Sequence, residues 1–218
     1  MTTGIQKNTV VKSNRFSANG ILEDMETKYF EGAEWAKIFE HNSNSGTVVF
    51  SSVGEALNTQ VENKYSRLYL LDYFKNVNDK YEFLLEYPDN VPNQYNRWIQ
   101  NNNPCNEYVP TTSAGDGTAE GYEAIHIDWN GHYWGGLTLQ NPLTSTSPIN
   151  PCYLSGSVGH TNWFFAIAPQ YNYQNGMPGP IGVISGKVQL WVRIDNLPEE
   201  NKFQISKNTM IANDFYEI

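Results

Sequence analysis

The sequence is short of cysteine, of charge and of long apolar runs, and each shortage removes a class of protein. Its 218 residues include two cysteines, Cys105 and Cys152, too few for a disulfide framework. If they pair, the closed loop stabilises the fold by about 4 kcal/mol on the chain-entropy argument. Synthesis in a reducing cytosol leaves both as thiols instead. No stretch approaches the roughly 18 consecutive apolar residues of a membrane-spanning helix, and the polar amino terminus, Met1 to Val11, lacks the apolar core of a signal peptide. The expectation is a chain made in a cytosol, not exported by the usual signal and not inserted in a membrane.

Positive charge is scarce as well. Fourteen basic residues face 23 acidic ones, for a net charge of −9, so the chain repels nucleic-acid phosphates and anionic membranes. No basic run overrides this, and nucleic acid is not an expected partner. Charged residues make up 17% of the chain, against about 25% in typical soluble proteins. Asn, Ser, Thr and Gly stand in their place and favour turns. Phosphate loops are missing, because neither Gly115-Asp116-Gly117 nor Gly135-Gly136 leads into Lys-Ser or Lys-Thr. Gly156-Ser157-Val158-Gly159-His160 is not the strained strand-to-helix elbow of a hydrolase.

What the chain has in quantity is aromatic rings: six Trp, fourteen Tyr and ten Phe. Large rings suit pleated, half-buried surfaces, which tilts the composition towards strands. Residues 1–30 are sparse in large apolar side chains and show no strand alternation, so they read as an arm. The remainder, 31–218, reads as one globular β body with no internal repeat.

Within that body, Glu34 to Phe39 and Thr47 to Phe50 flank the turn cluster Asn42 to Gly46, which suggests a hairpin. Val53 to Asn58 fits one short helical turn. Tyr65 to Phe74 and Lys80 to Tyr87 flank Lys75 to Asp79 as a second candidate hairpin. In the latter strand Tyr81, Phe83, Leu85 and Tyr87 alternate with Glu82, Leu84 and Glu86, the pattern of a strand with one wetter face. Arg97 to Gln100 is a short strand, and Asn106 to Gly121 a long polar loop. Later strands span Trp163 to Ala168 and Lys187 to Asp195. Many short strands without a long helical pattern predict an all-β fold: an antiparallel β-sandwich or jelly-roll-like domain preceded by a short N-terminal arm.

The sharpest local signal is Ile125-His126-Ile127-Asp128-Trp129, then Asn130-Gly131, then His132-Tyr133-Trp134, a two-residue hairpin by its Asn-Gly turn. Alternation across that turn puts Ile125, Ile127, Trp129, His132 and Trp134 on a core face. His126, Asp128 and Tyr133 share the other. Three chemistries fit this second face. His126 and Asp128, with His160, could ligate zinc, although a third ligand is not close in sequence. Asp128 could pair with Glu123, Glu82 or Glu86 as a glycosidase acid and nucleophile. Or the Asp–His–Tyr set is hydrogen-bonded and only fixes the sheet surface; a polar patch that touches a ligand is the reading left over. A separate glycan contact is offered by Tyr171 and Tyr173 in the Pro169 to Gly176 loop, where tyrosines alternate with amides.

Five runs carry a resemblance. Trp35-Ala36-Lys37-Ile38-Phe39, Asn96-Arg97-Trp98-Ile99-Gln100, Trp134-Gly135-Gly136-Leu137, Gly156 to Phe164 and Leu190-Trp191-Val192-Arg193-Ile194 resemble a β domain of the fibre and head-fibre proteins of crAss-like phages of gut Bacteroidales. The resemblance spans about residues 34–218, and similar spacings occur in extracellular lectin-like modules. It implies a virion structural protein without catalytic residues or cofactors. It also implies a homotrimer attached to capsid or tail proteins through residues 1–30, with a β body that meets host surface glycans. Val10, Val11, Phe16, Ile21, Leu22, Tyr29 and Phe30 would supply the arm's docking contacts. A free-standing carbohydrate-binding module and a polysaccharide-degrading enzyme using Asp128 are the alternatives.

Overall fold

The computed structural model describes residues 25–44, 48–90, 94–106, 118–128, 134–139, 152–156, 166–170, 177–178 and 184–198. Its strands are β1 (Thr27–Phe30), β2 (Ala33–Asn42), β3 (Asn58–Val61), β4 (Lys64–Arg67), β5 (Tyr81–Tyr87), β6 (Gln94–Gln100) and β7 (Glu123–Ile127). There follow β8 (Thr138–Leu139), β9 (Cys152–Ser155), β10 (Ala166–Pro169), β11 (Met177–Pro178), β12 (Ile184–Ser185) and β13 (Lys187–Arg193). One short helix, α1 (Val53–Leu57), is capped by the Ser52 hydroxyl, which accepts from the Glu55 amide at 3.1 Å. The protein is an all-β, antiparallel β-sandwich. The main sheet runs β3-β4-β2-β13-β5-β6-β7, with β1 also paired to β2, and a second sheet runs β10-β9-β8.

The inner face of the main sheet carries Phe39, Tyr81, Phe83, Leu85, Trp98, Val188, Leu190 and Val192. These pack with Leu137, Tyr153, Leu154 and Ile167 of the opposite layer. Rings fill this space, as the composition implied: Phe83 lies 5.3 Å from Trp98, and Trp98 meets Trp134 edge-to-face at 4.8 Å. Gln100 ties the layers together. Its Oε1 accepts from Trp98 Nε1 at 2.8 Å and from the Leu137 amide at 2.9 Å, while its Nε2 donates to the Leu137 carbonyl at 3.0 Å. The side-chain amide thus pairs with Leu137 as a neighbouring strand would. Gly136 permits the approach, for a Cβ there would lie 2.9 Å from the Ala119 methyl and 3.0 Å from Gln100 Oε1, at φ +91°. Gln100→Leu should cost about 2 kcal/mol, because it strands three buried polar groups; urea unfolding measures it, and an unchanged midpoint would refute this account of the clip.

Several sequence expectations are corrected. Glu34 to Phe39 does not pair with Val48 to Phe50, the described part of the expected partner strand; β2 pairs with β1, β4 and β13. The segment after β4 is not strand but a 3-10 helix, Leu68–Phe74. Leu68, Leu71 and Phe74, three apart, eclipse on its buried side. β4 pairs with β3, not with β5. The outer side of β5 is not wet, since all seven of its residues are buried. The cysteines, by contrast, are free thiols as a reducing cytosol implies, and both are buried. Of the span read as an arm, Thr27–Phe30 lies in the sheet and Met25 in the core; residues 1–24 lie outside the described residues.

What covers the outer face is the β1–β2 hairpin. It turns through Glu31 (φ 48°) and Gly32 (φ 78°), the two positive values a type I′ turn requires. Lys28 pairs with Glu86 on β5, and Glu31 reaches Tyr95 and Arg97 on β6. Strands lie about 4.8 Å apart, so three or four strand spacings exceed any side chain's reach across a flat sheet. The hairpin therefore curls over the face. Beneath it lies a second small core of Ala33, Trp35, Leu84 and Trp191, with Phe30 and Tyr95 against it.

Candidate binding site on the outer sheet face

Where the curled hairpin ends, four elements bring polar groups together. Glu82 of β5 is the centre. Its Oε1 accepts from Arg97 Nε at 2.8 Å and Nη2 at 2.6 Å, and its Oε2 from Arg193 Nη1 at 3.0 Å. The Arg97 guanidinium also lies 5.2 Å from the Trp35 ring centroid and reaches Glu31 at 3.3 Å. Arg193 makes a second fork with Asp195 at 2.6 and 3.2 Å. Asp195 first, then Glu82, holds the Arg193 proton more firmly, against burial, which acts the other way. Lys28 sits 4.2 Å from the Trp191 centroid beside Glu86. Burial pulls its ammonium below the usual range, while Glu86 pulls upward.

Nearer the sheet edge the groups become accessible. The Tyr95 and His126 rings stack at 4.2 Å with 17° between planes. Asp128 holds both: its Oδ1 lies 2.9 Å from His126 Nε2, and its Oδ2 accepts from the Tyr95 amide at 2.7 Å. A carboxylate only accepts, so Nε2 carries the proton and Nδ1 is the ring's remaining polar atom. At the far end of the ring, the Tyr95 hydroxyl donates to Glu31. Burial first, and then this bond to Glu31, push the phenol above its usual range.

A bulge aims His126. The β6–β7 register shifts between Arg97 and Trp98, so that Arg97 opposes His126 while Trp98 opposes Ala124, and Ile125 has no partner. Bulges bend a strand locally and re-aim side chains. Here the bulge expels Ile125, which is 44% exposed. That corrects its expected place on the core face; Ile127 does pack against the core.

His126 and Asp128 are therefore together, as their spacing implied. Tyr133, Tyr171, Tyr173 and His160 lie outside the described residues, and the ring beside His126 is Tyr95. Sequence reasoning missed Tyr95, Arg97, Glu31 and Arg193. The alternation Tyr95, Arg97 against Asn96, Trp98 in β6 was the available signal, but their partners lie on other strands. Among the described residues no three His, Cys, Asp or Glu side chains gather as a metal site. Asp128 is bound to His126 and the Tyr95 amide rather than to another acid. Glu82 and Glu86 each face cations instead. No family model, curated protein or solved structure matches this chain.

Proposed function

We propose that this chain is a non-enzymatic structural component of a bacteriophage virion, of the fibre or capsid-decoration kind. Its N-terminal residues attach to capsid or tail proteins, three copies associate, and the β body faces the medium, where it meets host surface glycans. The observation that carries the reading is the outer face of the central strands β2, β13 and β5, which is buried beneath the β1–β2 hairpin. A sheet whose centre is buried on both sides within one chain needs no partner to cover it there, which suits a body held out from a particle. The acids on that face are clamped by cations: Glu82 by two arginines and Glu86 by Lys28. Such carboxylates are buried and held by cations, which suits a structural role. The five runs that resemble crAss-like phage fibre domains supply the particle context.

The arm test must respect β1. Removing residues 1–30 would also strip Lys28 and Phe30 from the sheet, so the informative deletion stops at residue 24. Full-length protein should sediment as three copies, and antibody against it should label particles of the phage that encodes it. The 25–218 chain should stay folded and lose attachment to those particles. A full-length monomer that labels no particle would overturn the reading, and glycan binding by that monomer would favour a free-standing lectin.

A further inference from the structure

From the Tyr95–His126 stack we infer a binding site for a neutral, hydroxyl-rich glycan, centred on the outer face of the imidazole. This deepens, and rests on, the reading that the body meets glycans. Three independent features meet there. The platform is preorganised: one ring face of His126 lies on Tyr95 and its Nε2 is tied to Asp128. Among the described residues nothing stacks on the opposite ring face or bonds Nδ1, which leaves both to a ligand, and the His126 side chain is 40% exposed. The bulge at Ile125 presents an apolar side chain beside it, so C–H surface is offered next to polar groups, as a sugar ring requires.

The polar groups decide the class of sugar. Asp128 stands at the amide end of Tyr95 and Glu31 at its hydroxyl end. Each Asp128 oxygen uses one lone pair internally and keeps another. The Glu31 oxygens are engaged likewise, by the Tyr95 hydroxyl and by Arg97. The patch therefore presents spare acceptors, and it fits a ligand rich in O–H donors. The nearest guanidinium, Arg97, is already occupied by Glu82 and Glu31. A uronic or sialic acid carboxylate would meet two carboxylates and a chain of net charge −9, with no uncommitted cation among the described residues of the patch to receive it.

The test uses intact full-length protein on a printed array of neutral, uronic-acid-bearing and sialylated glycans. Neutral glycans should bind, with acidic ones at background. Asp128→Asn and His126→Ala should each weaken that binding by about tenfold or more. Val61→Ser, an exposed position on the opposite edge strand, should leave it unchanged. Asp128→Asn keeps the shape of the side chain, so it decides the matter if His126→Ala does not fold. Preference for acidic glycans, or neutral binding that survives both variants, overturns the site. No glycan bound, with particles still labelled by antibody, overturns the site and leaves the virion reading standing. Neutral binding that is lost in both variants while no particle is labelled does the reverse.

Discussion

Glu82→Ala should lower the stability of the fold by about 3–5 kcal/mol, the usual cost of removing one partner from a buried charge cluster. At roughly 2–4 °C per kcal/mol for a chain of this size, the midpoint of thermal unfolding falls by about 6–20 °C. Only 4% of the Glu82 side chain is accessible, and it satisfies Arg97 and Arg193 at once. Without it two guanidinium groups face each other under the β1–β2 hairpin, and Arg97 keeps only the Trp35 ring and Glu31. Arg193→Ala should cost much less, since that side chain is a quarter exposed and shared with Asp195. The triple change Glu82→Leu, Arg97→Met, Arg193→Met should recover most of the loss, because apolar residues of similar volume often replace a buried ion cluster without penalty. Differential scanning calorimetry of the four proteins decides it. A Glu82→Ala midpoint within 2 °C of wild type, about the shift of a single surface change, would mean that the cluster contributes nothing.

The same cluster shows where sequence reasoning stops. The alternation in β5 identifies the strand and its core face, Tyr81, Phe83, Leu85 and Tyr87, because period-2 patterning is local. It says nothing of what lies over Glu82 and Glu86. The partners of Glu82 are 15 and 111 residues away, and burial of a carboxylate depends on that long-range pairing. The β1–β2 hairpin is illegible for a different reason. Its turn is Glu31-Gly32, and Glu31 occupies the left-handed position where Asn or Asp is the usual marker. The turn at Asn76 is legible: its Oδ1 accepts from the Asn78 and Lys80 amides at 2.9 and 3.2 Å. The helical coil before it was hidden by Tyr69, Tyr73 and Phe74, aromatic residues that read as strand. At the candidate site, His126 of β7 and Asp128 just past its end could be joined by spacing alone. Tyr95 and Glu31 could not, since each comes from another strand or turn.

Buried His41 makes the fold acid-sensitive below about pH 6.5. The ring is sealed on the inner face against Phe50, with centroids 5.8 Å apart and planes at 88°, and it is 1% exposed. Among the described residues neither nitrogen has a hydrogen-bond partner of normal geometry. Burial first, and then the nearby Lys64 ammonium, lower its pKa from 6.5 to about 3, against a smaller opposing pull from the Val48 backbone. Above pH 6.5 the ring is neutral folded or unfolded and the equilibrium is indifferent to it. Below 6.5 the unfolded chain takes up a proton that the folded chain refuses until about pH 3, so stability falls throughout that window. The slope is about 1.4 kcal/mol per pH unit, or roughly 2 kcal/mol lost by pH 5. Glu55, held near 2 chiefly by its hydrogen bond to Lys64, contributes stability that is present above 4.5 and lost as pH falls towards 2. Its loss therefore begins only where much of the His41 effect is already spent. His41→Leu should flatten the stability profile between pH 6.5 and 4.5 while leaving stability at pH 7.5 equal or higher, since poorly satisfied buried ring nitrogens leave the core with it. Urea midpoints measured at half-unit intervals give both profiles, and parallel slopes for the two proteins would show that the histidine titrates freely in the fold.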